Sequence, residues 1–397
     1  MSLPIRIGVA GLGRAFTLML PTFVADARVR LVAAADPLPA ARAQFTRDFG
    51  GPAFPDVETL CARADVDVVY IATPHQHHAT HAGVAFAHGK HVLLEKPMAV
   101  TLDECTTIID AAQRAQRILI VGHSHSFDRP VARTREIVEQ RSFGEVRMIT
   151  ALNFTDFLYR PRRPEELATD VGGGVVFSQG AHQIDIVRLL GGGNVRSVRA
   201  ATGAWDPARP TEGAYSALLS FEEGAFAQAT YSGYAHYDSD ELMGGIGEMG
   251  QAKSASDYGA ARRRLDATGD RLAERDLKAA RNYGGAQYVA PAKHTPAGWN
   301  HFGFVVVSCD RADLRPTPLG VEIHADRERT FEALPPSRIP RVEVIDELHA
   351  ALVEGERPTH DGAWARATLE ATLAILESAR THRDVALGLQ VALRRSA

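Results

Sequence analysis

The chain has 397 residues, more than one hydrophobic core usually holds, so two domains are expected. Its composition, 45% apolar and 23% charged, is that of a folded globular protein. A net charge of −4 lacks the basic excess that a nucleic-acid or anionic-membrane surface needs, and no apolar run reaches transmembrane length. Cys61, Cys105 and Cys309 are few and far apart, which fits a reducing compartment and makes no zinc spacing. The first residues run directly into a strand, so no secretory leader is expected and the cytoplasm is the expected location.

Residues 5–10 read as a buried strand that runs into Gly11-Leu12-Gly13-Arg14-Ala15-Phe16 and an apolar helix through Phe23. Glycines at 11 and 13 would let backbone N–H groups approach a pyrophosphate, with the helix N-terminus adding a favourable dipole. The third fingerprint glycine would fall at 16, where the chain has Phe16. Residues 29–35 form a second apolar run ending in Asp36, placed to accept from adenosine ribose hydroxyls or to close a turn. A carboxylate there repels a 2′-phosphate, and Pro37 follows in place of an arginine, so NAD is favoured over NADP; Arg42 is the nearest basic residue.

The alternation continues: helix 40–49, short helix 57–63, strand 66–72, then Thr73-Pro74-His75-Gln76-His77-His78. Four histidines between 75 and 81 suggest metal, but no carboxylate or Cys completes a set, and a loop under the nicotinamide ribose is the better reading. Helix 78–88 leads to strand 91–94 and then Glu95-Lys96-Pro97. A lysine just past a parallel strand sits where open α/β sheets hold ligands, or is a surface lysine beside a turn. Helix 103–116 and strand 118–121 complete a doubly wound parallel sheet, and His125 follows.

The second half turns to strands: 146–154, 195–202, 214–221, 225–231, 302–308 and 320–323, moderately alternating, as a sheet with one covered face should be. Helix 180–190 carries His182 and Asp185 on one face, after a triple glycine at 172–174 that would permit close approach of backbone to a ligand. The loop 156–164 holds Tyr159 and three arginines, Arg160, Arg162 and Arg163, stiffened by Pro161 and Pro164. It is either a stiff cationic loop for carboxylates or a solvated basic turn. Tyr231, Tyr234, His236 and Tyr237 could line a pocket for a flat ring or be sheet surface. From 238 to 296 strand signals vanish, with one polar helix possible at 262–280. An extended segment at 339–342 and amphipathic helices 343–354 and 363–381 close the chain.

The motifs together resemble the Gfo/Idh/MocA family of NAD(P)-dependent oxidoreductases. The likeness rests on the Gly11/Gly13 turn, Thr73-Pro74 with His78, Gly89-Lys90-His91-Val92 leading to Glu95-Lys96-Pro97, and the glycines before Gly180-x-His182-x-x-Asp185. It implies a Rossmann domain over 1–125 and an α+β substrate and oligomerisation domain over 126–397. That second domain would have a large, mostly antiparallel open sheet, and its C-terminal helices would pack partly on the first. It implies catalysis by Lys96 and His182, with Asp185 and Ser178 in support. Cofactor contacts would come from Gly11, Gly13, Arg14, Ala15, Asp36, Thr73, Pro74, His78, Glu95 and Lys96, with no metal. Sugar-type members usually carry Asp where this chain has Ser178, which points away from neutral sugars. Runs at 172–183, 159–167 and 301–311 most resemble the branch of phthalate 4,5-cis-dihydrodiol dehydrogenases. The candidate substrate contacts are then Tyr159, Arg160, Arg163 and His125, meeting a carboxylated ring diol. A sugar or cyclitol dehydrogenase and a non-catalytic NAD-binding regulator are the other readings. A homodimer or homotetramer through the C-terminal sheet is what the family resemblance implies for assembly.

Overall fold

The computed structural model describes residues 4–234, 236–269, 271–290, 296–337 and 339–394. The chain forms two compact units. Unit 1 comprises Met1–His123, Arg275–Lys293 and Arg338–Arg366; unit 2 comprises Ser124–Glu274, His294–Ser337 and Ala367–Ala397.

Unit 1 is built on six parallel strands: β1 (Ile5–Ala10), β2 (Val29–Ala35), β3 (Ala53–Phe54), β4 (Val68–Ile71), β5 (His91–Leu94) and β6 (Leu119–Val121). They lie in the order β3-β2-β1-β4-β5-β6, all parallel. Val, Ile and Leu dominate because both faces of such a sheet are covered; Ile7, Val9, Val69, Leu93 and Ile120 are fully buried. The crossovers are α1 (Arg14–Ala25), α2 (Pro39–Phe49), α3 (Val57–Cys61), α4 (His78–Ala87) and α5 (Leu102–Ala115). The strand order reverses at β1/β4, which leaves the loops after β1, β2, β4 and β5 at one end of the sheet as its ligand edge.

Unit 2 opens with α6 (Arg129–Glu139), then β7 (Val146–Phe154), α7 (Ala181–Gly191), β8 (Val195–Gly203), β9 (Ala214–Phe221) and β10 (Phe226–Ser232). The insertion holds α8 (Ala260–Asp266) and α9 (Arg271–Ala280). Then come β11 (Phe304–Cys309), β12 (Ala312–Thr317), β13 (Gly320–Ala325) and β14 (Arg329–Ala333). After α10 (Val342–His349) in unit 1, α11 (Gly362–Thr381) and β15 (Val385–Ala386) finish the fold. The nine strands run β14-β13-β12-β11-β7-β10-β9-β8-β15, antiparallel except for the β7–β10 pair. One face is apolar through Ile149, Ala151, Ala217, Leu219, Ala227 and Ala229. Against it α7 docks: Tyr215 donates to the Gln183 side chain at 2.7 Å, and Gln183 donates to Thr230 O at 3.2 Å.

Three sequence expectations need correction. The segment 339–342 is not extended: Arg341 takes a left-handed φ of 52° and caps α10, which begins at Val342. The polar helix at 262–280 is two helices, α8 and α9, with a break around Gly269. The triple glycine is filled by the protein itself. A Cβ on Gly174 (φ +85°) would lie 2.0 Å from a Glu212 oxygen, and one on Gly173 would lie 2.6 Å from Glu165 O. Packing, and not ligand approach, explains these two glycines.

Candidate active site

In unit 1 the glycine turn after β1 is shaped by its neighbours. Gly11 has φ +93°, and a Cβ there would meet Ala72 O at 2.8 Å. Gly13 differs. Its φ of −83° suits any residue, and a Cβ built on it meets no described atom within 4 Å. Nothing in the surrounding protein requires a glycine at 13, whereas a pyrophosphate seated on the α1 N-terminus would. Arg14 and Ala15 are the first residues of α1 beyond that cap.

Asp36, at the end of β2, is buried and accepts from Leu12 N and Leu38 N, each at 2.8 Å. Its carboxylate is thus fixed between the loop after β1 and the start of α2, with lone pairs remaining for ribose hydroxyls. Arg42 donates to Asp36 O and Pro37 O at 2.8 and 2.9 Å, so its guanidinium is spent on turn carbonyls. These residues fit NAD: Gly13 leaves open space at the α1 N-terminus, and Asp36 offers a fixed carboxylate at the end of β2.

The loop after β4 is tied to the lysine loop by His78. Its ring nitrogens lie 3.0 Å from Pro97 O and 2.9 Å from Thr73 O. Burial pulls the pKa of this imidazole down to about 4, against the two carbonyl contacts. Thr73 Oγ1 lies 3.0 Å from His81 Nδ1, and Pro74 opens the short turn leading to α4. Glu95 turns its carboxylate inward, where Tyr70 donates to it at 2.5 Å, and burial raises its pKa. Its contribution is to hold the chain that presents half-buried Lys96. Lys90, in the same motif, is a structural clip: its ammonium donates to Arg63 O at 2.5 Å and to Val66 O at 2.9 Å.

In unit 2 the first turn of α7 brings His182 against His125. The rings meet edge to face with centroids 4.8 Å apart, and Phe302 lies 5.1 Å from each. Tyr231 stacks on Phe302 at 6.0 Å, and Tyr215 on Tyr231 at 6.1 Å. Tyr231 and Tyr234 are therefore interior aromatics, while Tyr237 is exposed. His125 Nδ1 sits 2.6 Å from Asp128, and its Nε2 sits 3.6 Å from Glu248. Burial opposes the imidazolium, but the two carboxylates prevail and raise its pKa. Burial likewise works against the Glu248 carboxylate, yet His125 and Arg160 hold it at about 2.

Asp185 accepts from Ser126 Oγ, beside His125, and from Thr368 Oγ1 at 2.8 Å. Two hydroxyls thus anchor the His125 loop and α11 to α7. Ser178 is half-buried in a short π-helical turn ahead of α7.

The basic loop is internally paired. Arg160 donates to Asp156 at 2.8 Å and lies 3.7 Å from Glu248. Arg162 stacks on Phe157 at 3.5 Å, and Arg163 faces Glu165 and Glu166 at 3.2 and 3.5 Å. Tyr159 donates to Asp206 at 3.1 Å beneath the Arg262 guanidinium. Of the four candidate substrate contacts, Arg160 and His125 are joined through Glu248; Arg163 and Tyr159 have other partners. Sequence reasoning missed Asp128 and Glu248. Asp128 carried a usable signal, three residues after His125; Glu248, inside the insertion, carried none. Among the described residues no group of three metal-ligating side chains is gathered.

The family description "Oxidoreductase family, NAD-binding Rossmann fold" matches residues 5–123, and "GFO/IDH/MocA C-terminal domain" matches residues 131–253. A curated relative from Comamonas testosteroni, 1-carboxy-3-chloro-3,4-dihydroxycyclohexa-1,5-diene dehydrogenase, is 49% identical over 94% of this chain and 95% of its own length. A dTDP-3,4-didehydro-2,6-dideoxy-alpha-D-glucose 3-reductase from Saccharopolyspora spinosa is 32% identical over 63% of this chain and 75% of its own. A crystal structure assigned as a dehydrogenase, from Bordetella bronchiseptica RB50, superposes with a TM-score of 0.91 at 39% identity, covering 97% of this chain and all of that one.

Proposed function

This chain belongs to the Gfo/Idh/MocA family of NAD-binding oxidoreductases, and from that premise we propose that it oxidises a carboxylated ring cis-dihydrodiol. The observation that carries this reading is the 49% identity, over nearly the whole chain, to an enzyme whose name describes a carboxylated dihydroxycyclohexadiene substrate. The aromatic group of Phe302, Tyr231 and Tyr215 near His182 is consistent with a flat ring.

NAD⁺ supplies the hydride acceptor. Lys96 and His182 are the residues assigned to acid–base work as hydride leaves the carbinol carbon. Loss of the neighbouring C–H proton then restores an aromatic catechol. His125, fixed by Asp128 and Glu248, and Asp185, fixed by Ser126 and Thr368, orient the His182 surroundings. Arg160 is the carboxylate contact. Like the loop's other cations it already faces acidic groups, Asp156 and Glu248, so a substrate carboxylate shares it with them. Ser178 cannot serve as a base without activation, which weighs against the sugar reading. The protein is further taken as a cytoplasmic homo-oligomer.

A panel of diols with NAD⁺ tests this. A monocarboxylated cis-dihydrodiol, the phthalate 4,5-cis-dihydrodiol, an uncarboxylated cis-dihydrodiol, myo-inositol and glucose would be followed by nicotinamide absorbance. The carboxylated dihydrodiols should be oxidised; reduction of NAD⁺ only with inositol or glucose would overturn the reading.

A further inference from the structure

The insertion between β10 and β11 changes allegiance along its length: residues up to Glu274 cluster with unit 2, and Arg275–Lys293 clusters with unit 1. Within unit 1 this second part is built into the fold. Tyr283 is 2% exposed, and its ring meets the Phe16 ring edge-on at 5.2 Å and 85°. Its hydroxyl donates to Asp48 at 2.5 Å, and Tyr288 packs against it at 5.2 Å. Gly284, with φ +74°, lies so close to α2 that a Cβ would fall 2.6 Å from Ala41 Cα and 2.9 Å from Ala40 O.

Apart from the bond to Asp48, which lies at the C-terminal end of α2, these contacts fall on the first turns of two particular helices. Phe16 is the third residue of α1, whose N-cap is Gly13. Ala40 and Ala41 follow Pro39 at the start of α2, two peptide units beyond Leu38, whose N–H holds Asp36. The strap therefore bridges the helix that begins at the pyrophosphate seat and the helix that begins at the ribose carboxylate. It also gives a reason for an aromatic residue at 16, where a glycine would leave Tyr283 without its ring partner on α1.

We propose that Tyr283 and Gly284 are positioning residues for the dinucleotide. They fix the spacing between the Gly13 turn and Asp36, so that one bound molecule meets both. A ligand that must engage two loops at once binds best when their separation is set beforehand. The proposal rests on NAD binding and not on which ring substrate is oxidised.

Titration of NADH and of ADP-ribose, by fluorescence and calorimetry, tests it without any ring substrate. Tyr283→Ala should raise both Kd values about tenfold. Tyr283→Phe, which keeps the ring, should restore most of the affinity. Unchanged Kd values in Tyr283→Ala would overturn the proposal. If that variant does not fold, hydrogen exchange on the wild-type protein decides: NADH should slow exchange in 281–290 together with 36–41. Protection of 36–41 alone would overturn it. NADH binding with every diol refused would sink the substrate assignment and leave this proposal standing.

Discussion

If Lys96 handles the hydroxyl proton, Lys96→Ala should lower kcat by about 10²- to 10⁴-fold while the Kd for NADH stays within a few-fold. Steady-state rates beside an NADH titration check this; equal loss of both would make Lys96 a cofactor residue only. Glu248 gives a pH-dependent expectation. Its folded pKa is depressed to about 2 from an ordinary 4.5. Its ionisation therefore stabilises the fold above the unfolded value, and that contribution fades as pH falls from about 5 toward 2. Glu248→Gln should cost on the order of 3 kcal/mol at most near neutrality, less at pH 3, by urea unfolding at both pH values. The placement of Gly11, Gly13, Asp36 and Lys96 just past strand ends was legible in the sequence because strand, turn and helix chemistry is local. Glu248, Glu212 and the inward turn of Glu95 were not, because their partners lie far along the chain: His125 for Glu248 and Val176 for Glu212.

Two elements carry glycines for opposite reasons, and the difference is measurable. Gly174→Ala forces a Cβ onto the buried Glu212 carboxylate at a left-handed backbone. It should destabilise the protein by more than about 2 kcal/mol. Gly13→Ala meets no described atom; it should change stability by less than about 1 kcal/mol yet weaken NADH binding about tenfold. Thermal unfolding and NADH titration of both variants form the test. β7 and β9 could be read from sequence because burial alternates along them, and β1 and β2 because their apolar runs are nearly continuous. The edge strand β14 is mostly exposed and shows no half-buried pattern, and β12, although its burial alternates, contains Pro316, which argues against a strand reading. The helix α6, entered through Pro130, went unread although Val131, Thr134, Ile137 and Val138 form a buried stripe.

At the scale of the molecule, the outer face of the second sheet bears Met148, Leu218 and Phe226, each more than a third exposed, with Met148 beside Phe226 in register. A patch of this kind is expected to be covered by another copy of the chain. Leu218→Lys with Phe226→Lys should shift the protein toward monomer in light scattering with unchanged helix and strand content; an unaltered mass would place any pairing elsewhere. The measurement that bears most directly on the whole account is a single turnover of a monocarboxylated ring cis-dihydrodiol with NAD⁺. Nicotinamide reduction and the appearance of the aromatic catechol would be recorded together. One NADH for each catechol is the expected result. No NADH, or NADH without aromatic product, would contradict the account.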